Sequence, residues 1–177
     1  TTLLYVGKFD EYKGLDKVLS AQATLQSQGE DVNLVLLGGS ESDSLYTQAK
    51  KQDGVKPITK FVTDEQIIKY YNIADAYVSL PVKHSLESGD CGIIAPVESL
   101  ACGTPVVSPV LRFFPEEEHP FLGRYVESGD KLAEAIYEVI NGPELPCRSV
   151  ARRYFSWRQV AEQVNQVYEK VFEESDH

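Results

Sequence analysis

Glu98 heads the run Glu98-Ser99-Leu100-Ala101-Cys102-Gly103-Thr104-Pro105-Val106-Val107. A carboxylate on the first turns of a helix, beside the crevice at the end of a parallel sheet, can accept two hydrogen bonds from a ribose diol. Acidic residues do this for dinucleotides in doubly wound folds. Taken alone, the residue reads first as a solvated helical glutamate. Just upstream lies a polar stretch, Lys83 to Asp90, with Gly89 and Gly92 around its end. Glycines there let backbone approach a ligand closely. The N–H groups of Gly92, Ile93 and Ile94, opening the next helix, suit phosphate or sugar oxygens. His84 is a tempting acid–base group but reads as a loop residue, and Lys8 and Lys13, taken alone, read as loop lysines in water. Cys91, Cys102 and Cys147 have neither metal-ligand nor Cys-x-x-Cys spacing and read as thiols in a reducing compartment.

The elements that must position these residues alternate along the chain. Leu3 to Val6 is an apolar strand ended by Gly7; Gly14 to Gln28 is helical, with Leu15, Val18, Leu19 and Leu25 on one face. Val32 to Leu37 is a second strand, Asp43 to Lys51 a weak helix, and Pro57 to Val62 a third strand. Thr63 or Asp64 caps a helix from Glu65 to Tyr71, and Ala76 to Leu80 forms a fourth strand. A helix from Ile93 to Cys102 follows, starting near Pro96 and stopped by Gly103, then a fifth strand from Thr104 to Ser108. Gly123 to Val126 reads as a sixth strand and Leu132 to Ile140 as an amphipathic helix. Ser156 caps a last helix from Trp157 to about Phe172. Uniformly apolar strands alternating with helices predict an α/β domain: a doubly wound parallel sheet with helices on both faces.

The 177 residues fit one domain, 42% apolar and 25% charged. The net charge of −10, with only Arg148, Arg152 and Arg153 clustered, argues against nucleic acid as a partner. No stretch is long and apolar enough to span a bilayer, and no basic amphipathic stretch signals direct membrane contact. A chain that opens on a core strand reads as an excised piece, and no signal peptide is visible.

The run from Glu98 to Val107 resembles the Glu-Ala-x-Ala-x-Gly-x-Pro-Val segment of family 4 glycosyltransferases, retaining enzymes of GT-B fold that use nucleotide sugars. Leu4-Tyr5-Val6-Gly7-Lys8-Phe9 with Tyr12-Lys13-Gly14-Leu15-Asp16, Leu34 to Gly38, Tyr70 to Pro81, and Phe155-Ser156-Trp157 with Tyr168 resemble further family segments in the expected order. The resemblance covers nearly the whole chain. It implies that residues 1–177 form the Rossmann-like C-terminal, donor-binding domain, whose N-terminal acceptor domain is absent.

From that resemblance, Lys8 and Lys13 bind the donor diphosphate, and Glu98 holds the ribose. Backbone near Phe61 and Val62 meets the base, and Gly7, Gly92, Ile93 and Ile94 line the site. Asp90 occupies the count of the family's sugar-facing acid, though the altered Cys91-Gly92-Ile93-Ile94 leaves Glu87 as the alternative. Asp90, Lys8 and Lys13 are then the catalytic set. Lys8 replaces the commoner Arg, a point charge for a bidentate fork. Asp75 reads as structural. Ser108 to Pro120 departs from the family's Gly-Gly-x-x-Glu stretch. The implied function is transfer of a hexose-type sugar from a UDP-, GDP- or ADP-sugar with retention, without metal or other cofactor. The expected location is cytoplasmic, with any peripheral membrane contact left to the missing half, and the isolated domain is expected to be inactive. A nucleotide-sugar epimerase half and an inactive nucleotide-sugar-binding module are the alternatives.

Overall fold

The computed structural model describes residues 1–82 and 93–175 of the chain. Six strands form one sheet: β1 (Thr2–Val6), β2 (Asn33–Leu37), β3 (Val55–Ile58), β4 (Ala76–Val78), β5 (Val106–Val107) and β6 (Gly123–Arg124). Their order is β3-β2-β1-β4-β5-β6, and every adjacent pair is parallel. Strand order therefore reverses between β1 and β4, and the crevice beyond their carboxyl ends is the topological switch point where such sheets take ligands.

The helices are α1 (Leu15–Ser27), α2 (Tyr46–Lys51), α3 (Asp64–Ile73), α4 (Ile94–Cys102), the single turn α5 (His119–Leu122), α6 (Leu132–Ile140), α7 (Cys147–Phe155) and α8 (Trp157–Ser175). Successive strand residues point to opposite faces, and the core divides accordingly. Leu3, Tyr5, Leu34, Leu36, Ala76, Val78 and Val107 pack beneath α1, α2 and α6. Leu4, Leu37, Tyr77 and Val106 pack beneath α3, α4 and α7. The doubly wound α/β sheet expected from the apolar strands is the observed fold.

Several boundaries differ from the sequence reading. The third strand lies at Val55–Ile58 rather than Pro57 to Val62. Pro57 sits inside it because β3 is an edge strand, where a missing N–H leaves no ladder bond open. The fourth, fifth and sixth strands are shorter than expected, two or three residues each. Helix α7 falls where the sequence reading places no element, although Cys147, Val150, Ala151, Tyr154 and Phe155 lie at the i, i+3, i+4, i+7, i+8 spacing of one helical face just after Pro146. The apolar stripe of α8 is largely exposed, with Trp157 88% and Phe172 71% accessible. The segment from Ser108 to Leu122 folds into short turns of 3-10 and α-helix, with Ser108 Oγ accepting from the Val110 N–H.

Two glycines make close packing possible near the switch point. Gly14 has φ +76°, and a Cβ there would lie 1.8 Å from the Leu80 carbonyl oxygen. Gly39 lies so close to the buried Phe9 ring that a Cβ would meet it at 2.3 Å.

Candidate active site

The loop after β1 carries Gly7, Lys8 and Lys13, and Asp10 organises it. Asp10 Oδ1 accepts from the Lys13 backbone N–H at 2.9 Å, and Oδ2 pairs with Lys8 Nζ at 3.5 Å. One carboxylate thus ties both expected diphosphate ligands to a single turn. The Lys13 ammonium also lies 5.5 Å from the centroid of the Tyr12 ring. Lys8 is exposed and Lys13 half-buried. Tyr5 hydroxyl donates to the Lys8 carbonyl at 2.7 Å, and the Gly7 N–H donates to the Leu37 carbonyl at 2.8 Å.

Asp43 ties this loop to the one after β2, accepting from the backbone N–H groups of Phe9 at 3.0 Å and Ser40 at 2.9 Å. Burial pushes its carboxyl pKa up, but those N–H groups, the Ser40 hydroxyl and the Lys8 charge outweigh it and lower the pKa below the usual range. On the other side, Gly14 abuts Leu80, and the Val82 N–H donates to the Tyr12 carbonyl at 3.2 Å. The Lys8–Lys13 loop is therefore locked directly onto the end of β4. A hollow of about 380 Å³ opens there, walled by Glu11, Asp16, Lys17, Leu80 and Val82.

Glu98 lies in α4, exposed, with its Oε2 accepting from the buried Tyr71 hydroxyl at 2.9 Å. Burial first, then the Glu98 charge, raises the Tyr71 phenol far above its ordinary range. Tyr77 is raised as well, by burial above all, with Glu98 contributing. The Tyr77 hydroxyl donates to the Val6 carbonyl at 3.5 Å, so the phenol on which the Glu98 charge acts reaches the end of β1. The residues after Glu98 build this corner. Ser99 Oγ donates to the Thr104 carbonyl, Gly103 ends the helix at φ +93°, and Thr104 Oγ1 donates to the Tyr71 carbonyl at 2.5 Å. Arg148 then donates to the Cys102 carbonyl at 2.6 Å, capping the same helix end.

Val62 is half-buried beside the 90%-exposed Phe61, and both line a hollow of about 390 Å³ with Ile58, Lys60, Gln66 and Tyr70. Thr63 closes a capping box with Gln66 immediately after, which fixes where α3 begins. Ile93 precedes α4 and packs on Val110, while Ile94 opens α4 and is exposed. Asp90, Gly92, Glu87, Gly89 and His84 lie outside the described residues. Among the described residues no cluster suited to a metal ion is found, and Cys102 and Cys147 are free thiols. Asp75 is structural, as expected: its Oδ2 accepts from the Thr2 N–H at 2.7 Å.

Asp10, Asp43 and Tyr71 escaped the sequence reading. Asp10 had a signal, since an Asp three residues before Lys13 can accept that backbone N–H in a turn. Tyr71 had none, because its partner lies 27 residues away.

The family model for glycosyl transferases group 1 matches residues 1–154. The chain belongs to this family. Among its relatives, the phosphatidyl-myo-inositol mannosyltransferase of Mycobacterium leprae is 30% identical over 96% of this chain and 46% of its own length. The GDP-mannose-dependent alpha-(1-6)-phosphatidylinositol dimannoside mannosyltransferase of Mycobacterium tuberculosis is 30% identical over 90% of this chain and 41% of its own length. The chain thus spans about half the length of the curated relatives it matches. The solved structure of AviGT4, a glycosyltransferase involved in avilamycin A biosynthesis, shares the fold with a TM-score of 0.73 at 21% identity, over 96% of this chain and 51% of that one. The C-terminal domain of a group 1 family protein from Francisella tularensis has a TM-score of 0.63 at 18% identity, over 85% of this chain and 80% of that one. These likenesses bear out the reading as a C-terminal GT-B glycosyltransferase domain, and they favour neither the epimerase half nor the inactive module.

Proposed function

We propose that this group 1 glycosyl transferase domain is the donor half of a two-domain enzyme that moves a hexose from a nucleoside diphosphate sugar to an acceptor with retention. The observation that carries the reading is the carboxylate of Glu98, held on α4 beside the end of β1 in a chain of this family. Glu98 accepts the ribose hydroxyls. Lys8 and Lys13 neutralise the charge that builds on the departing diphosphate, an electrostatic role that no other group need share. The loop at Phe61 and Val62 meets the base, and the N–H groups of Gly92, Ile93 and Ile94 receive phosphate or sugar oxygens. Asp90 is the sugar-facing acid in this reading, with Glu87 its alternative.

Two relatives of about 30% identity carry mannosyltransferase names, one of them GDP-mannose-dependent. GDP-mannose is therefore the first donor to test, followed by UDP- and ADP-sugars. The 177 residues span about half the length of these relatives, and in this reading the acceptor side lies in the remainder of a full-length protein, so these residues alone are expected to bind donor without transferring sugar.

Calorimetry with GDP, UDP and ADP tests the site. Glu98→Ala and Lys13→Ala are each expected to weaken the preferred nucleotide by roughly tenfold, the loss of one hydrogen bond to a charged group. Lys51→Ala, on the exposed end of α2, is expected to leave it unchanged. Unaltered affinity in both site variants would sink the assignment. Retention is checked by the anomeric configuration of the product formed by the full-length protein.

A further inference from the structure

Glu98 is exposed, yet one of its oxygens is held by a hydroxyl that belongs to the core: Tyr71 is only 1% accessible. We propose that Tyr71 is a positioning residue, whose hydroxyl holds Oε2 of Glu98 so that Oε1 is presented to the ribose hydroxyls of the nucleotide. The inference rests on Glu98 being the ribose acceptor.

An exposed glutamate samples several rotamers, and fixing one on binding costs side-chain entropy. A donor that already selects one orientation removes part of that cost before the ligand arrives. Tyr71 is suited to this because it is itself immobilised. Its backbone carbonyl receives Thr104 Oγ1 at 2.5 Å, and Thr104 is held in turn by Ser99, whose hydroxyl donates to the Thr104 carbonyl at 3.1 Å and whose carbonyl receives the Thr104 N–H at 3.0 Å. The end of α4 is thus clamped to the end of α3 by residues adjoining Glu98 in sequence, which sets the distance between phenol and carboxylate. Burial and the Glu98 charge keep the phenol protonated, so it serves only as donor to Glu98. Among the described residues, Oε1 has no hydrogen-bond partner. A phenol that merely fastened α3 to α4 would contribute to stability without affecting which sugar hydroxyls the site prefers.

The test uses the full-length protein and measures the dissociation constants of GDP and UDP against their 2′,3′-dideoxy analogues. The quantity read is the ratio of the two, which does not depend on the fraction of molecules correctly folded. The parent is expected to prefer the ribonucleotide by about tenfold or more. Tyr71→Phe, which keeps the ring in the core, is expected to cut that preference by about three- to tenfold; Glu98→Ala abolishes it, and combining the two adds nothing further. If Tyr71→Phe lowers the melting temperature but keeps the parent's preference while Glu98→Ala loses it, Tyr71 is a core residue and the inference is overturned with the ribose assignment intact. If Glu98→Ala keeps the preference, the ribose assignment fails and this inference falls with it.

Discussion

Asp10 holds Lys13 by its backbone and Lys8 by its charge, and these two functions separate chemically. Asn keeps an oxygen for the Lys13 N–H but loses the charge facing Lys8, whereas Ala loses both. Because the Lys8 pair is exposed, its ionic contribution is small, about 0–1 kcal/mol. The turn should therefore matter more than the ion pair. Asp10→Ala is expected to cost about 1 kcal/mol of stability and three- to tenfold in nucleotide affinity. Asp10→Asn should restore the melting temperature and most of the affinity; equal losses in both variants would show that the charge dominates. Cys147 offers a pH test. Its thiol is buried and donates to the carbonyls of Phe121 and Leu122, and burial raises its pKa from the ordinary 9.0 to about 12. The fold thus favours the protonated thiol, a contribution fully present below pH 9 and lost as pH climbs toward 12. Melting temperatures should fall across that window, and Cys147→Ala should flatten the first part of the fall. At this scale Glu98 and the two lysines stood out only through the resemblance of their flanking segments to the family, since each taken alone reads as a solvated residue. The sequence hid Tyr71, because only the packing of α3 on α4 brings the phenol to its partner.

At the level of elements, what could be read from the chain depended on whether the signal was local. Leu132–Ile140 is the helix its apolar spacing predicts, and Thr63 caps α3 as its type and position suggest. Strand β3 runs through Pro57 and does not start there, because it is an edge strand, and only the sheet order shows that. Helix α7, which packs on α4, did carry a local signal in the helical spacing of Cys147, Val150, Ala151, Tyr154 and Phe155, so its omission was a missed period and not a hidden one. Gly14 reads in the sequence as a helix start and as part of the Lys13-Gly14 family segment, yet its structural role is to set the approach of the Lys8–Lys13 loop to β4. Gly14→Ala must place a Cβ 1.8 Å from the Leu80 carbonyl at φ +76°, so loop or strand end has to move. We expect a loss of about 2–4 kcal/mol in urea unfolding, with nucleotide binding weakened beyond what the unfolded fraction explains. Gly29→Ala supplies the control: its φ is also positive, at +94°, but nothing lies within 4 Å. It should show only the backbone cost, about 1 kcal/mol, and leave binding untouched.

For the whole molecule, the doubly wound architecture was legible because its strands are apolar throughout, while the strand order that creates the switch point was not. That order sets the loop after β1 directly beside the end of β4, while Glu98 binds Tyr71 and its charge acts on Tyr77, whose hydroxyl reaches the Val6 carbonyl at the end of β1. A ligand that contacts both α4 and the β1 loop therefore bridges parts of the chain far apart in sequence, and it should stabilise the fold as a unit. At a ligand concentration 100 times the dissociation constant, that stabilisation is about 2.7 kcal/mol. For a chain of 177 residues this raises the melting temperature by roughly 5–11 °C, at about 2–4 °C per kcal/mol. With Glu98→Ala, an affinity about tenfold weaker leaves the same nucleotide at only about 10 times its dissociation constant, and the stabilisation falls to about 1.4 kcal/mol. The shift should then shrink to roughly 3–6 °C. Thermal melts of parent and variant at matched GDP or UDP concentrations check this. An equal shift in both would mean that the nucleotide stabilises the chain from somewhere other than the end of the sheet where Glu98 stands.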